Sequence, residues 1–160
     1  MAERWFLELD GIAGESTVVG HEGELDVVAW SWGVTHAGAP PAGGGAGAGK
    51  ATFQDLLVTT RISKASPPLF LACATGRHLR TAKLSGVRDS GGPARDVLRY
   101  ELDDVTVTSV QHGDNEESMP TERLALRYSK LRVTYVPQTA TGAPGPAVTA
   151  GFDVKANVQL

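Results

Sequence analysis

The sequence has no excess of charge of either sign, and this argues against one broad class of partner. Its 160 residues include 15 Lys and Arg and 18 Asp and Glu, which give a net charge of -3 at pH 7. Nucleic-acid-binding domains usually carry a basic patch or stripe, whereas the basic residues here are scattered along the chain. We therefore predict that the protein has no nucleic-acid partner.

Long apolar runs are also missing. No stretch approaches the ~20 consecutive apolar residues that a membrane-spanning helix needs, so we expect no membrane insertion. The chain opens with MAERWFLELDG, an alternation typical of a strand and unlike the apolar core of a signal peptide. We therefore expect synthesis in the cytoplasm.

Cysteine is nearly absent. The single residue, Cys73, allows no internal disulfide, which fits a reducing compartment. It stands among the apolar residues of a predicted helix, and this position favours a small buried side chain over a nucleophile.

Complete catalytic or ligand-binding motifs are missing as well. GGAGAGKA at 44–51 nearly matches a phosphate-binding loop, but Ala51 replaces the hydroxyl residue that would hold magnesium. DSGGP at 89–93 resembles the nucleophile segment of chymotrypsin-like proteases, but no histidine occurs in a matching motif. The histidines lack the spacing of a helical metal site; they are His21, His36, His78 and His112. We predict no catalytic, cofactor or metal site, and hence no enzyme.

Most of the chain alternates apolar and polar residues, which is the pattern of half-buried strands. The clearest runs are residues 5–9, 25–35, 79–87, 97–110, 123–136 and 148–160. In the runs 97–110 and 123–136 the alternation changes phase midway, as a bulge or bend requires, and bent long strands favour barrel closure. The last run places Phe152, Val154, Ala156, Val158 and Leu160 inward. We predict one mainly β barrel domain over residues 1–160.

One short helix interrupts this pattern, from about 67 to 75. Ser66 is expected to cap its first amides, two prolines suit its first turn, and Gly76 is suited to the left-handed residue that ends it. An apolar stripe should pack on the sheet. The stripe consists of Leu69, Phe70 and Cys73.

The run 25–35 has one bulky face and one small face. The bulky face is predicted to contain Val28, Trp30, Trp32 and Val34, and the small face Val27, Ala29, Ser31, Gly33 and Thr35. Alternation assigns the sides but not what each side meets, which leaves another sheet, open solvent or a partner as alternatives.

Residues 36–49, HAGAPPAGGGAGAG, contain only Gly, Ala, Pro and one His. Such a segment cannot bury a core of its own, and we expect it to be mobile in a free subunit. A long loop of this kind is either functional or a tolerated surface insertion. Composition alone leaves both readings open.

Six separated segments closely resemble the haemolysin-coregulated protein (Hcp) family, the tube subunits of type VI secretion systems. They are FLELDGIAGEST (6–17), ELDVVAWSWGV (24–34), GAGKATFQD (47–55), SKASPPLFLACATGRH (63–78), MPTERLAL (119–126) and AGFDVKANVQL (150–160). The resemblance covers nearly the whole chain. It departs from the family pattern in the Gly/Pro-rich loop and in the turn at 88–94.

The resemblance implies a phage tail-tube-like barrel of two packed antiparallel sheets with one flanking helix. It further implies hexameric rings that stack head-to-tail inside a contractile sheath, carry effector proteins in the lumen, and work with sheath, spike and baseplate proteins. Export would then occur through the apparatus without a signal peptide. The alternatives are a subunit of another contractile injection system, Hcp-like or phage-tail-tube-like, and a monomeric binding barrel.

Two groups of site residues follow from the resemblance. Ser31 is the best candidate for contact with cargo in the lumen, together with Ala29 and Gly33 on the same small face. The loop would project along the tube axis and order on the adjacent ring. Its candidate stacking residues are Gly43, Gly44, Gly45, Gly47 and Gly49.

Overall fold

The structure is a computed structural model that describes residues 3–38, 50–89, 94–115 and 118–160. Its elements are β1 Glu3–Leu9, β2 Leu25–Ser31, β3 Val34–His36, β4 Ala51–Phe53, β5 Leu56–Arg61, α1 Ser66–Thr75, β6 His78–Arg88, β7 Arg95–Asn115, β8 Ser118–Arg127, β9 Lys130–Tyr135, β10 Val148–Asp153 and β11 Val158–Gln159. The predicted mainly β fold with one short helix is confirmed. Within the described residues, no helix is long and apolar enough to cross a membrane.

Six antiparallel strands close into a barrel in the order β6, β1, β2, β5, β8, β7. Closure depends on β7, which has 21 residues. Its first half pairs with β6 on one side and β9 on the other, and its second half pairs with β8. The predicted change of phase in this strand is confirmed. It falls between buried Leu102 and buried Val105, at Asp104, whose φ of 54° is left-handed.

The predicted strand over 123–136 is divided into β8 and β9 at Tyr128 and Ser129. The division lies opposite the bend in β7, because Asp103 pairs with Lys130 and Thr106 pairs with Arg127. The two partners of β7 therefore follow its change of direction.

The C-terminal alternation predicts one continuous strand, and this prediction is wrong. The chain turns after Asp153 and returns as β11. The Asp153 carboxylate accepts a hydrogen bond from the Ala156 N–H at 2.8 Å, and Asn157 adopts φ 58°, which Asn tolerates better than most residues. Val158 and Leu160 are consequently exposed.

Aromatic rings cross the inside of the barrel. The ring centroid of Trp30 lies 4.8 Å from that of Trp5 and 5.2 Å from that of Tyr100, and Trp32 lies 5.8 Å from Tyr100. Tilted pairs of this kind each add about 0.5–1.5 kcal/mol beyond the area they bury. Trp5 lies directly over Gly86, where an added Cβ would come within 2.5 Å of the indole ring. Only glycine fits that position without moving the tryptophan.

Helix α1 spans Ser66–Thr75 and ends as predicted. Gly76 has φ 66°, and its N–H donates to the Cys73 carbonyl at 3.3 Å while the Arg77 N–H donates to the Ala72 carbonyl at 3.0 Å. These bonds satisfy carbonyls that the end of the helix leaves free.

The predicted capping role of Ser66 is wrong. Ser66 is the first residue of the helix, and no side-chain hydrogen bond caps the amides. Its hydroxyl instead accepts from the Ser63 N–H at 3.0 Å and donates to the buried Glu122 carboxylate at 3.2 Å. A long-range partner has replaced the local one.

The apolar stripe of α1 is also partly mispredicted. The buried face consists of Ser66, Leu69 and Ala72, while Phe70 is 61% exposed. Cys73 is partly buried against the core. The helix packs against β7, so the contact with this strand, and not the apolarity of the individual residues, decides which face of the helix is buried.

A bulge between Val27 and Ala29 divides the two faces of β2. Trp30 and Trp32 share a side of the chain as predicted, and that side packs on the core. Val28 is 55% exposed, and Val27 packs on the core in its place. The extra residue of the bulge reverses the alternation at that point.

Candidate functional site

The small face of β2 belongs to a groove on the outside of the barrel. Strands β2, β5, β8 and β7 bound this groove, which encloses about 450 Å³. Two cross-strand rows of outward side chains line it, and we call these eight residues the outer groove. The first row is Ser31, Leu57, Ala125 and Ser109, and the second is Ala29, Thr59, Arg123 and Gln111.

A matching row faces inward, one residue away along each strand. Trp30 lies opposite Val58, Val58 opposite Leu124, and Leu124 opposite Val110. These four side chains pack in the barrel core. The outer groove can therefore change its chemistry without emptying the core, because the two sets point to opposite sides of the sheet.

The predicted small-face residues have different positions. Ser31 and Ala29 are exposed and line the outer groove. Gly33 lies beyond the end of β2, where its carbonyl accepts from the Gln54 N–H at 3.0 Å. A Cβ at Gly33 would meet the Gln54 side chain at 3.1 Å. The structure thus brings Ser31 and Ala29 together and places Gly33 against another segment.

Arg123 supplies the charge of the outer groove. The other seven residues of the two rows have no ionisable side chain, and among the described residues no ion pair forms with Arg123. Arg61 follows Thr59 on the same side of β5 and pairs with Thr121. The end of the groove at the second row is therefore cationic.

At the opposite end of the groove the charges of Asp55 and Arg127 neutralise each other. Asp55 accepts a hydrogen bond from the Thr108 hydroxyl at 2.7 Å and lies 3.5 Å from the Arg127 guanidinium. Leu57 stands between this end and the arginines and is 48% exposed. The groove surface therefore combines small side chains, one accessible leucine and a positive charge that no described carboxylate neutralises.

Sequence reasoning missed six of the eight groove residues. Leu57, Thr59, Ser109, Gln111, Arg123 and Ala125 lie on three strands that are distant from β2 in the chain. Their alternation was visible, but their register with Ser31 was not, because pairing between distant strands leaves no local signal.

The candidate stacking residues Gly43, Gly44, Gly45, Gly47 and Gly49 lie outside the described residues. The strands on either side of their segment are described. β3 and β4 form a short antiparallel hairpin in which Val34 pairs with Phe53 and His36 with Ala51. His36 is therefore the last residue of a strand and not part of the loop.

This hairpin is tied to the barrel at its base. Phe53 stacks on Phe152 of β10 with ring centroids 5.3 Å apart. The Trp32 indole donates to the Tyr128 hydroxyl at 2.6 Å, which in turn donates to the Gln54 carbonyl at 2.8 Å. Burial raises the pKa of Tyr128, so its hydroxyl keeps the proton that this chain of bonds requires.

A buried ionisable cluster holds the segment between β1 and β2. The His21 ring stacks on Phe6 with centroids 4.6 Å apart. Its Nδ1 lies 2.8 Å from the Glu24 carboxylate and its Nε2 lies 2.9 Å from Asp96 at the start of β7. Burial raises the pKa of Glu24. The cluster fastens this segment over the outside of the sheet.

His78, Asp104 and Ser129 bring together the residue types of a hydrolase triad. Ser129 donates to Asp104 at 2.7 Å, and His78 lies 2.9 Å from the other oxygen of the same carboxylate. These bonds, that from Ser129 first, lower the pKa of Asp104. Because the serine bonds the aspartate and not the histidine, no base is placed to activate it. In the described part of the chain no cluster of His, Cys, Asp or Glu could hold a metal ion.

Comparison with known proteins identifies one family. The family described as "Type VI secretion system effector, Hcp" matches residues 6–135. The protein hcp1 of Pseudomonas aeruginosa is 40% identical over 99% of this chain and 99% of its own length. The crystal structure of Hcp1 from Salmonella typhimurium is 30% identical, with a TM-score of 0.80 over all of both chains. A structure titled as a type six secretion system protein is 27% identical, with a TM-score of 0.91 over 99% of this chain and all of that one.

Proposed function

The chain belongs to the Hcp family and is a tube subunit of a type VI secretion system, and we propose that it forms hexameric rings that carry effector proteins in their lumen. The observation that carries the proposal is the outer groove, a sheet face with small, mostly uncharged side chains. Such a face can line a passage without obstructing it. A structural role of this kind requires no catalytic centre.

Ring closure needs a head-to-tail contact between copies of the chain. The edge of the sheet at β10 and β11 is suited to it. Among the described residues, β11 pairs with β10 only at Phe152 and Asp153, so Val148–Ala150 have one open backbone side. Exposed apolar side chains line the same edge; they are Tyr135, Val148, Val158 and Leu160. A neighbouring subunit would cover this edge, which would otherwise favour aggregation.

Ser31 and Ala29 are the proposed contacts with effector proteins, because both are exposed and line the outer groove. The segment that holds Gly43, Gly44, Gly45, Gly47 and Gly49 is the proposed stacking contact, since β3 and β4 fasten both of its ends to one barrel. Ordering many glycines costs conformational entropy, so stacking should be weak in free rings. Weak stacking would suit a tube that disperses after delivery.

The further partners are the sheath, spike and baseplate proteins of the same apparatus. We propose that the subunit is made in the cytoplasm and leaves the cell with the expelled tube. The apparatus itself, and not a signal peptide, would then direct its export.

The native mass tests the ring. Light scattering on a size-exclusion column, repeated over a dilution series, should give six times the chain mass of 16.8 kDa. Placing a charge on the exposed edge with Val148→Asp should shift the mass toward that of the monomer. The matched control is Val19→Asp, at an exposed position in the segment between β1 and β2, and it should leave the mass unchanged. A wild-type monomer at every concentration would contradict the hexamer.

A further inference from the structure

We propose that Arg123 makes the outer groove selective for acidic proteins, so that the tube prefers cargo with negative surface charge. The inference rests on the proposed function, because it takes the outer groove to face the lumen. It adds to that function the chemical class of the cargo, acidic proteins, and the residue that selects them, Arg123.

The first argument is the charge of the groove itself. The chain has a net charge of -3, yet the two rows of the groove contain one ionisable side chain, Arg123, and it is cationic. Arg61 lies on the same side of the neighbouring strand, one row further on. Diagonal positions of this kind are about 7–8 Å apart, so both guanidinium groups can reach one acidic segment.

The second argument is that Arg88 and Arg127 are paired with carboxylates, whereas Arg123 has no such partner among the described residues. Arg88 binds Glu3 at 2.7 Å, and Arg127 lies 3.5 Å from Asp55. For Arg123 the described residues provide no carboxylate within ion-pair distance. An exposed arginine in a groove, bordered by serine, threonine and glutamine, can bind a carboxylate through two parallel hydrogen bonds.

The third argument concerns the class of macromolecule. Single-stranded nucleic acids bind along a continuous cationic track with aromatic side chains on which bases stack. The two rows of the groove have no aromatic residue and only one cation, and they include the exposed Leu57. Apolar contact beside isolated positive charge favours a folded protein with acidic side chains.

Ring assembly would amplify the effect. Six copies would place six Arg123 side chains around one passage, and a cleft lined by one sign of charge focuses the electric field inside it. Several weak contacts made at once by one cargo molecule raise its overall affinity well above that of any one contact. A modest preference in one groove would thus become strong selection in the ring.

Binding to purified rings tests the inference. The probes are two fluorescein-labelled peptides of equal length, one with alternating Glu and Leu and one with Lys in place of Glu, together with a labelled single-stranded DNA oligonucleotide. Fluorescence anisotropy should detect the acidic peptide best. Its affinity should fall about tenfold in Arg123→Gln, because several charges act together, and by a smaller factor in Arg123→Lys, which keeps the charge but not the two parallel hydrogen bonds. Arg80→Gln, which removes one exposed cation from β6, is the matched control.

Salt provides an independent readout. Raising NaCl from about 0.1 M to about 1 M shortens the Debye length from roughly 10 Å to roughly 3 Å. Binding of the acidic peptide to wild-type rings should weaken strongly over this range, and residual binding to Arg123→Gln rings should change much less.

Light scattering on each variant separates the two proposals. Rings of normal mass that bind the Glu and Lys peptides equally, or that keep full affinity in Arg123→Gln, would overturn the inference alone. Stronger, Arg123-dependent binding of the oligonucleotide would overturn it in favour of nucleic acid. A monomeric wild-type protein would overturn the proposed function, and the inference with it.

Discussion

The carboxylate of Glu122, on β8, accepts a hydrogen bond from the hydroxyl of Ser66 at the first residue of α1, with 3.2 Å between the two oxygens. Glu122 is 0% exposed, and its other oxygen lies 2.6 Å from the Nε2 of His112. The helix is thus fixed to the barrel by a buried carboxyl group and not by a side-chain cap of its own.

Glu122→Gln should lower the free energy of unfolding by about 1.5–3 kcal/mol, because it replaces a charge-assisted hydrogen bond inside the barrel. Ser66→Ala removes the weaker neutral donor and should cost about 1 kcal/mol. Urea denaturation measures both. Glu8→Gln, at an exposed position on β1, should change the value by less than about 0.5 kcal/mol. A Glu122→Gln protein as stable as the wild type would show that the buried contact contributes nothing.

Acid should destabilise the bend in β7 through Asp104. Its pKa is lowered in the folded state, so its contribution to stability is present above the unfolded value of about 3.8 and is lost as the pH falls through the folded value. Asp104→Asn keeps a residue type that tolerates left-handed backbone but abolishes this titration. The urea midpoint of the wild type should therefore fall more steeply below about pH 4 than that of the variant.

The control for this comparison is Asp26→Asn on β2, since no described residue forms a side-chain hydrogen bond with the exposed Asp26. It should reproduce the wild-type acid profile. Parallel profiles for the wild type and Asp104→Asn would show that the bonds to Ser129 and His78 do not favour the charged carboxylate.

Filling the outer groove should impair cargo binding without affecting the ring. Ser31 is exposed and lies beside Leu57 of the neighbouring strand, so Ser31→Gln adds bulk on the side away from the core. Ring mass by light scattering should stay unchanged, and the amount of an effector that co-purifies with the ring should fall several-fold. Ser31→Ala keeps the groove open and should retain the effector. If the Ser31→Gln ring retained as much effector as the wild-type ring, the effector would not contact the groove at Ser31.

Shortening the glycine-rich segment should separate ring formation from ring stacking. Deleting Gly43–Gly47 should leave the ring mass unchanged, because the hairpin of β3 and β4 is held to the barrel by Phe53 and Phe152. Electron microscopy should show fewer and shorter tubes. Replacing the same residues by serines keeps the length and should restore stacking. Tubes as long as those of the wild type would exclude the segment from the stacking contact.

The sequence predicted a structural feature correctly where the residues that produce the feature lie in the same segment as the feature itself. Alternation placed Trp30 and Ser31 on opposite sides of β2, and Gly76 marked the end of α1. The change of phase after Leu102 indicated a bend, because buried residues must stay on one side of a strand. The family segments along the chain then identified the barrel and its role.

Errors arose where a distant partner decided the outcome. A bulge in β2, opposite β5, exposes Val28. Packing against β7 buries the side of α1 that contains Ala72 and leaves Phe70 exposed. The hydroxyl of Ser66 binds Glu122 and not the helix amides. Periodicity describes which side of an element is apolar, but it contains no information about the element that will cover it.

The sequence by itself therefore determined the class of fold, the family and the side of β2 on which Ser31 lies. Only the tertiary structure decided that Ser31 shares a groove with Arg123, because the two are joined through pairings of β2 with β5 and of β5 with β8. The register of strands far apart in the chain is set by closure of the whole barrel, and no single segment encodes it.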